Sequence, residues 1–441
     1  MLGASMAGLL AARVLSESFA NVTIFDRDTL PAGAANRKGV PQGEHSHGLL
    51  ARGRQVLEEL FPGIVAELTA AGAIPLDLMR DCVWVTGDRP MPRVASGLAG
   101  LCVSRPTLEA AVRRHVLACP DIVVLDGHEA TGLLFDGVRV TGAKVRPVAG
   151  GEHDVAADLV VDATGRGNRG PTWLAALGFD RPAEERVDPL TVYVSRDYRR
   201  VPGAQDYAAI INSPNAGRPF GAVAIAADGD RWMVTLLGVG AGQAPPTDAF
   251  ADFAAKLPDP RLRELLSTAE PLGPPLRMRL PASVRRRYER MSRLPDGLVS
   301  IGDAVCAFNP AYGQGMTVAA AEAIELRDAL RAGREGLPRR FYARAAKVVD
   351  VPWDIAVGAD LANPEIQGER TGKTRFLNAY VARIQTASGR SAAVGRRFLE
   401  VANLMQAPPA LFAPSIVARV LWFGRRRPAP APAARRETVA V

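Results

Sequence analysis

Asp26, Asp162 and Asp303 each end a short apolar run, and each hands the chain to a turn. An acid at the carboxyl end of a parallel strand can accept hydrogen bonds from ribose or ribityl hydroxyls. The free N–H groups of the next helix's first turn can face a phosphate or an electron-rich ring. The densest example is residues 302–316, GDAVCAFNPAYGQGM. An apolar strand pattern over 297–301 (GLVSI) meets Gly302 and Asp303. A loop with Pro310, Gly313 and Gly315 follows, and a helical pattern starts at Met316. Glycine at 313 and 315 removes side chains where backbone must come close to a flat ligand. The chemistry this suits is the holding of a sugar and a planar ring. An ordinary Gly-rich strand-to-helix loop is the alternative on these residues alone.

The N-terminus supplies the other half. Gly3, Ser5 and Gly8 (GASMAG) stand where a dinucleotide fingerprint has its three glycines, with Ser at the second position. Met6 opens a helical run over 6–15, a strand pattern follows over 22–25, and Asp26 then Arg27 end it. An acid about 20 residues after the last glycine is the ribose partner of this fingerprint. A plain amphipathic helix opening a domain is the competing reading. Only Met1 and Leu2 stand where the central first strand belongs, which reads as a start placed several residues late.

Three further stretches carry candidate ligand contacts. The loop 36–48, NRKGVPQGEHSHG, holds Arg37, Lys38, His45 and His47, which suit either a flavin or phosphate contact or a solvated basic loop. In SRPTLE, 104–109, Ser104 is an N-cap and Pro106 fits the first turn, so Arg105 is aimed at an anion or makes a structural salt bridge. In DLVVDATGRGNRG, 158–170, Asp162 runs into Thr164, Gly165, Arg166 and Gly167. Three strand-end acids converging on one ligand is the expectation, and flavin adenine dinucleotide is the ligand that the two halves together suit.

These residues need an α/β fold to position them: a Rossmann-type, glutathione reductase-like FAD-binding domain with an inserted β-meander, a mixed-sheet substrate domain and a helical C-terminal region. The expected units are the FAD-binding domain over 1–173 and again over 296–335, a substrate-binding domain over 174–295 and helices over 336–424. A basic tail over 425–441 is expected to be disordered. The meander is placed at 122–159, and the late helices at 338–361 and 374–404. APSIVARVLWF, 413–423, is apolar and followed by three arginines. Such a segment can rest on an anionic membrane surface or dock as a last helix on its own domain.

Composition sets the outer bounds. Hydrophobic residues make up 48 % and charged residues 23 %, a globular balance. Of the net charge of +8, half comes from the tail, so the body offers no case for nucleic acid. Cys82, Cys102, Cys119 and Cys306 are scattered and suggest no metal site. With no leader or membrane-spanning run, a cytoplasmic or membrane-peripheral protein is expected; its oligomeric state is open.

With GASMAG, RKGVPQGEHSH, SRPTLE, DLVVDATGRG and GDAVCAFNPAYGQGM together, nearly the whole chain resembles single-component FAD-dependent monooxygenases of the p-hydroxybenzoate hydroxylase fold. Among these it is most similar to bacterial polyene epoxidases of polyether biosynthesis, relatives of squalene epoxidase. The resemblance implies that Gly3 and Gly8 hold the pyrophosphate and Asp26 the adenosine ribose. Arg105 meets phosphate or the ribityl chain, Asp303 binds ribityl or pyrophosphate-side oxygens, and Arg37 lies near the flavin. The amides of Gly315 and Met316 face the pyrimidine edge, and Asp162 and Gly165 serve both FAD and NAD(P)H. It further implies that NAD(P)H reduces the flavin and that O2 adds to form a C4a-hydroperoxide. Oxygen then passes to a bulky apolar polyene, prenyl or polyketide-type substrate, by epoxidation or hydroxylation. A geranylgeranyl reductase-like prenyl reductase and a non-catalytic homologue are the alternatives. The halogenase motif WxWxIP is not found; Trp353 stands alone in VPWDI.

Overall fold

The computed structural model describes residues 1–280 and 282–425; all of the predicted basic tail except Arg425 lies outside them. Short, β-branched apolar runs build a parallel sheet. Strand Val22–Phe25 pairs in parallel with Ile122–Leu125, and Val160–Asp162 with Leu298–Ser300. Residues 1–3 join the two pairs. Leu2 N donates to Val161 O at 2.9 Å, Ala163 N to Leu2 O at 2.8 Å, Phe25 N to Met1 O at 2.9 Å and Gly3 N to Phe25 O at 2.7 Å. This stub therefore occupies the centre of the sheet. Ile122–Leu125 belongs to this sheet rather than to the expected meander. A run of four apolar residues carries no period to tell an edge strand from a hairpin strand, and Val123 and Leu125 are exposed as an edge allows. The meander itself is His128–Phe135, Val140–Pro147 and His153–Ala156.

A second sheet has six strands in the order Pro271–Arg279, Val192–Arg199, Arg231–Gly238, Phe220–Ala227, Ala209–Asn212 and Cys82–Val85. The last pair is parallel and the others antiparallel. Cys82–Val85 enters from far outside the 174–295 stretch, because a strand partner is chosen by burial and not by sequence distance. One face packs on helices Phe250–Ala254 and Arg261–Thr268, through Phe250, Phe253 and Leu265 against Val194, Ala224 and Leu236. The other face looks toward the C-terminal helices Leu337–Asp360, Gly372–Ser388, Ala392–Ala402 and Pro414–Phe423. The single helix expected over 374–404 is broken after Ser388, where Gly389 lets Arg89 approach: a Cβ there would lie 2.6 Å from Arg89 Cγ. Among the described residues no helix is long and apolar enough to cross a membrane.

Candidate FAD and substrate site

Gly302, at φ +67°, turns the chain sharply after strand Leu298–Ser300 and places Asp303 beside the start of helix Gly315–Arg331. A side chain at Gly315 would have Asp303 Oδ1 as its nearest neighbour, at 3.8 Å, so the acid and the helix N-terminus border one open space. Asp303 is held by a single ion pair, with Arg166 Nε at 3.5 Å, and its side chain is 34 % exposed. Burial raises its pKa, and Arg166, Arg105 and Arg286 oppose that rise. Arg166 is fixed in turn by the carbonyls of Ala282, at 3.2 Å, and Phe308.

The N-terminal loop is packed too tightly for side chains. Gly3 has φ +103° and a Cβ there would meet Ala163 O at 2.5 Å; one at Gly8 would meet Gly3 O at 1.9 Å. Asp26 is buried and accepts from Ala4 N at 2.7 Å and Asp28 N at 2.9 Å. Ser5 does more than stand in for a glycine. Its hydroxyl accepts from Arg105 Nη2 at 2.8 Å and donates to Glu109 Oε2 at 3.1 Å, tying the loop to the start of helix Arg105–Leu117. Arg105 also pairs with Glu109 at 3.1 Å.

Arg37 is engaged by carboxylates. It meets Glu109 at 3.0 Å, Asp28 at 2.9 Å and Asp26 at 3.4 Å, because three buried carboxylates hold a guanidinium more firmly than a loop can direct it. Its Nη2 is buried without a partner. Asp162 is turned away from any shared ligand space. It is fully buried and accepts from Thr164 N at 3.0 Å, Thr164 Oγ1 at 2.7 Å and Asn168 Nδ2 at 3.4 Å, so it builds its own turn. Gly165 follows at φ +78° with open space before it. Met6 and Met316 are core side chains, so their backbone amides are what they offer a ligand. Arg27 and Lys38 are exposed with no ion-pair partner among the described residues, and Pro310 opens the short turn Pro310–Tyr312 that ends in Gly313 at φ +65°.

The residues present fit FAD. Two helix N-termini, one free strand-end carboxylate and a buried guanidinium with an unused nitrogen suit its diphosphate, hydroxyls and polar ring edge.

His45 and His47 of the 36–48 loop, with Ser195, Thr235, Asp360 and Glu322, which the sequence did not single out, complete the surroundings. His45 Nδ1 lies 2.7 Å from Ser195 Oγ, which lies 2.6 Å from Thr235 Oγ1, and Thr235 Oγ1 donates to Ser46 Oγ at 2.9 Å. This chain docks the 36–48 loop on the six-stranded sheet. Ser195 and Thr235 occupy buried positions in strands that otherwise read as plain β, so only their polarity could have signalled it. His47 is driven down to about 4 by burial and by Arg105, and is neutral at pH 7. Tyr312 donates to Asp360 at 2.8 Å and Asn309 Nδ2 to the same oxygen at 3.1 Å; burial holds Asp360 at about 6. Glu322 accepts from Gly302 N at 2.7 Å, and burial lifts it to about 8.

Between the open face of the six-stranded sheet and the C-terminal helices lies a cavity of about 1940 Å³. Ligand cavities usually hold roughly 300–1,000 Å³. Trp84, Ile211, Val223 and Leu237 line one wall, and Ile355 and Leu377 the other. The same cavity is bordered by residues 310–314 and 46–50, so it opens directly onto the loop that follows Asp303.

Comparison with known proteins agrees with this geometry. The profile of the family described as FAD binding domain matches residues 1–337. Protein Rv3254 of Mycobacterium tuberculosis is 38 % identical over 344 residues, covering 75 % of this chain and 72 % of the mycobacterial protein. Among solved structures, the flavin-dependent brominase Bmp2 superposes with a TM-score of 0.64 at 17 % identity, covering 91 % of this chain and 92 % of the brominase. The p-nitrophenol 4-monooxygenase PnpA of Pseudomonas putida DLL-E4 gives 0.62 at 16 %, covering 91 % and 97 %. OxyS anhydrotetracycline hydroxylase of Streptomyces rimosus gives 0.58 at 17 %, covering 92 % and 75 %. At these identities the structures speak for the fold. The profile match and the mycobacterial relative carry the assignment: the chain belongs to the family described as FAD binding domain.

Proposed function

We propose that this protein is an FAD-dependent monooxygenase that uses NAD(P)H and O2 to epoxidise or hydroxylate a bulky apolar substrate of polyene, prenyl or polyketide type. The observation that carries the reading is the apolar cavity meeting residues 310–314. When bound, FAD supplies the redox chemistry, passing electrons from NAD(P)H to O2 and delivering one oxygen atom. The chain supplies placement and dryness. Asp303 accepts from the cofactor's hydroxyls, the amides of Gly315 and Met316 favour negative charge at the ring edge, and Ser5, Arg105 and Asp26 serve the pyrophosphate and ribose. The apolar walls keep water from the reacting atoms. The likeness of the motifs to polyene epoxidases supports the same substrate class.

The test is a yellow, FAD-loaded protein that NAD(P)H bleaches without air and that, with 18O2 and a polyene, leaves labelled oxygen in the product. Product formed without oxygen uptake would make it a prenyl reductase instead. A peripheral membrane contact is proposed on helix Pro414–Phe423. Ile416 and Val420 pack inward, while Leu421 and Trp422, 74 % exposed, face out beside Arg425. Flotation with anionic vesicles that Trp422→Ser abolishes would support it, and no flotation of the native protein would reject it.

A further inference from the structure

The cavity is not uniformly apolar: six Arg or Lys side chains line it against three acids. The acids are answered or remote. Asp88 pairs with Arg390 at 2.8 Å, Asp354 lies in the field of Lys373, and Glu369 is exposed. Arg218 differs from the other cations: Arg89, Lys373 and Arg375 are exposed, Arg390 is paired, and Arg370 has all three nitrogens on backbone carbonyls. It sits in the turn between strands Ala209–Asn212 and Phe220–Ala227, is half-buried, and has no carboxylate within ion-pair distance among the described residues. Its Nη2 donates to Ser213 O at 2.8 Å and its Nε to Phe220 O at 3.4 Å, so the plane of the guanidinium is set by backbone while Nη1 is left without a bond. The turn is itself anchored. Ser213 N donates to Val85 O at 2.9 Å, and Asn215 Nδ2 to Thr86 O at 3.5 Å. Burial lowers the pKa of Arg218, which is the mark of a charge kept where water cannot fully solvate it.

A fixed, unneutralised guanidinium on the wall of an apolar room is a receptor for a planar anion. We propose that Arg218 forms an anion subsite of this cavity and that the substrate is an amphipathic acid, an apolar chain or ring system that carries a carboxylate. The proposal rests on the cavity being the substrate room of the monooxygenase. One guanidinium matches the single charge of a carboxylate; a diphosphate would need several cations converging on it. Binding the carboxylate fixes one end of a long molecule, and a fixed end decides which of its bonds comes to rest against residues 310–314. Arg218 is thus a specificity residue, and it takes no part in holding FAD.

The test is binding, not turnover. The FAD-loaded full chain is titrated with cis-parinaric acid and with its methyl ester, both of which gain fluorescence in an apolar site. The acid is expected to bind roughly tenfold more tightly than the ester, the size of one charge-assisted hydrogen bond. Arg218→Gln should erase that difference by weakening the acid alone, and Arg218→Lys should keep part of it. Unchanged flavin absorbance in both variants verifies that they fold. Equal binding of acid and ester, or a difference that survives Arg218→Gln, overturns the subsite and leaves the monooxygenase reading standing. Failure of both probes to bind removes the cavity as the substrate room and the subsite with it.

Discussion

Asp162 and Asp303 leave adjacent parallel strands, with Asp162 registered against Ser300, yet their carboxylates meet different surroundings. Asp162 is spent on its own turn, and Asp303 has one ion pair and open space before it. The two variants should therefore part company. Asp303→Ala is expected to lose bound FAD with little change in thermal midpoint. Asp162→Ala is expected to strand the donors of Thr164 and cost about 1–3 kcal/mol of stability. Flavin absorbance and a melting curve read both, and full flavin content with full turnover in Asp303→Ala would remove the cofactor assignment.

Arg37 offers a second contrast. Its side chain is 7 % exposed and is shared by Glu109, Asp28 and Asp26. Removing one partner of a buried ion pair costs about 3–5 kcal/mol, and here it would leave three acids facing one another. Arg37→Ala should lower the midpoint of urea unfolding markedly and weaken FAD binding as a consequence. A variant of native stability would show that water reaches these carboxylates freely.

Stability should also fall as pH rises. Glu322 is held at about 8 in the fold against 4.5 in an open chain, and Asp360 at about 6 against 3.8. The folded protein keeps protons that the unfolded chain has already released. The stability these two groups contribute is therefore fully present below about 4, declines through both intervals and is gone above 8. The Glu322 share is on the order of 5 kcal/mol. Glu322→Gln retains an acceptor for Gly302 N and has no proton to lose. It should be more stable than the native chain at pH 8.5 and should flatten the slope between pH 6 and 8, as urea titrations across that range would show.

The cavity can be tested by filling it. Val223 is only partly buried and faces the open volume. Val223→Trp should leave flavin content unchanged and reduce the affinity for bulky apolar ligands roughly tenfold or more, the effect of displacing several contacts from a hydrophobic wall. Unaltered ligand affinity would place the substrate elsewhere.

Much of this architecture is legible in the chain because the strand, acid and glycine succession is local. The three strand ends, the meander after residue 128 and the helical character of the C-terminus follow from short-range pattern, whereas the break between Ser388 and Ala392 does not. What separates Asp162 from Asp303 was also present, in the Thr two residues after Asp162 that can bond it back. The entry of Cys82–Val85 into the six-stranded sheet, the docking of His45 on Ser195 and the pairing of Tyr312 with Asp360 join residues 48 to 150 positions apart. No local propensity encodes such contacts; they follow from which surfaces the folded layers bring together. The hold of Glu109 on Arg37 was hidden for the same reason, since the two stand 72 residues apart.

The two walls of the cavity come from separate stretches of chain, the sheet strands of 82–85 and 209–239 and the helices of 351–412, while most of the FAD-side residues lie before 317. A gene recombined near residue 340 would exchange one wall and leave the cofactor machinery whole. Relatives of this protein can thus diverge in what the cavity admits by inheriting a new helical half, with the cofactor loops left as they are.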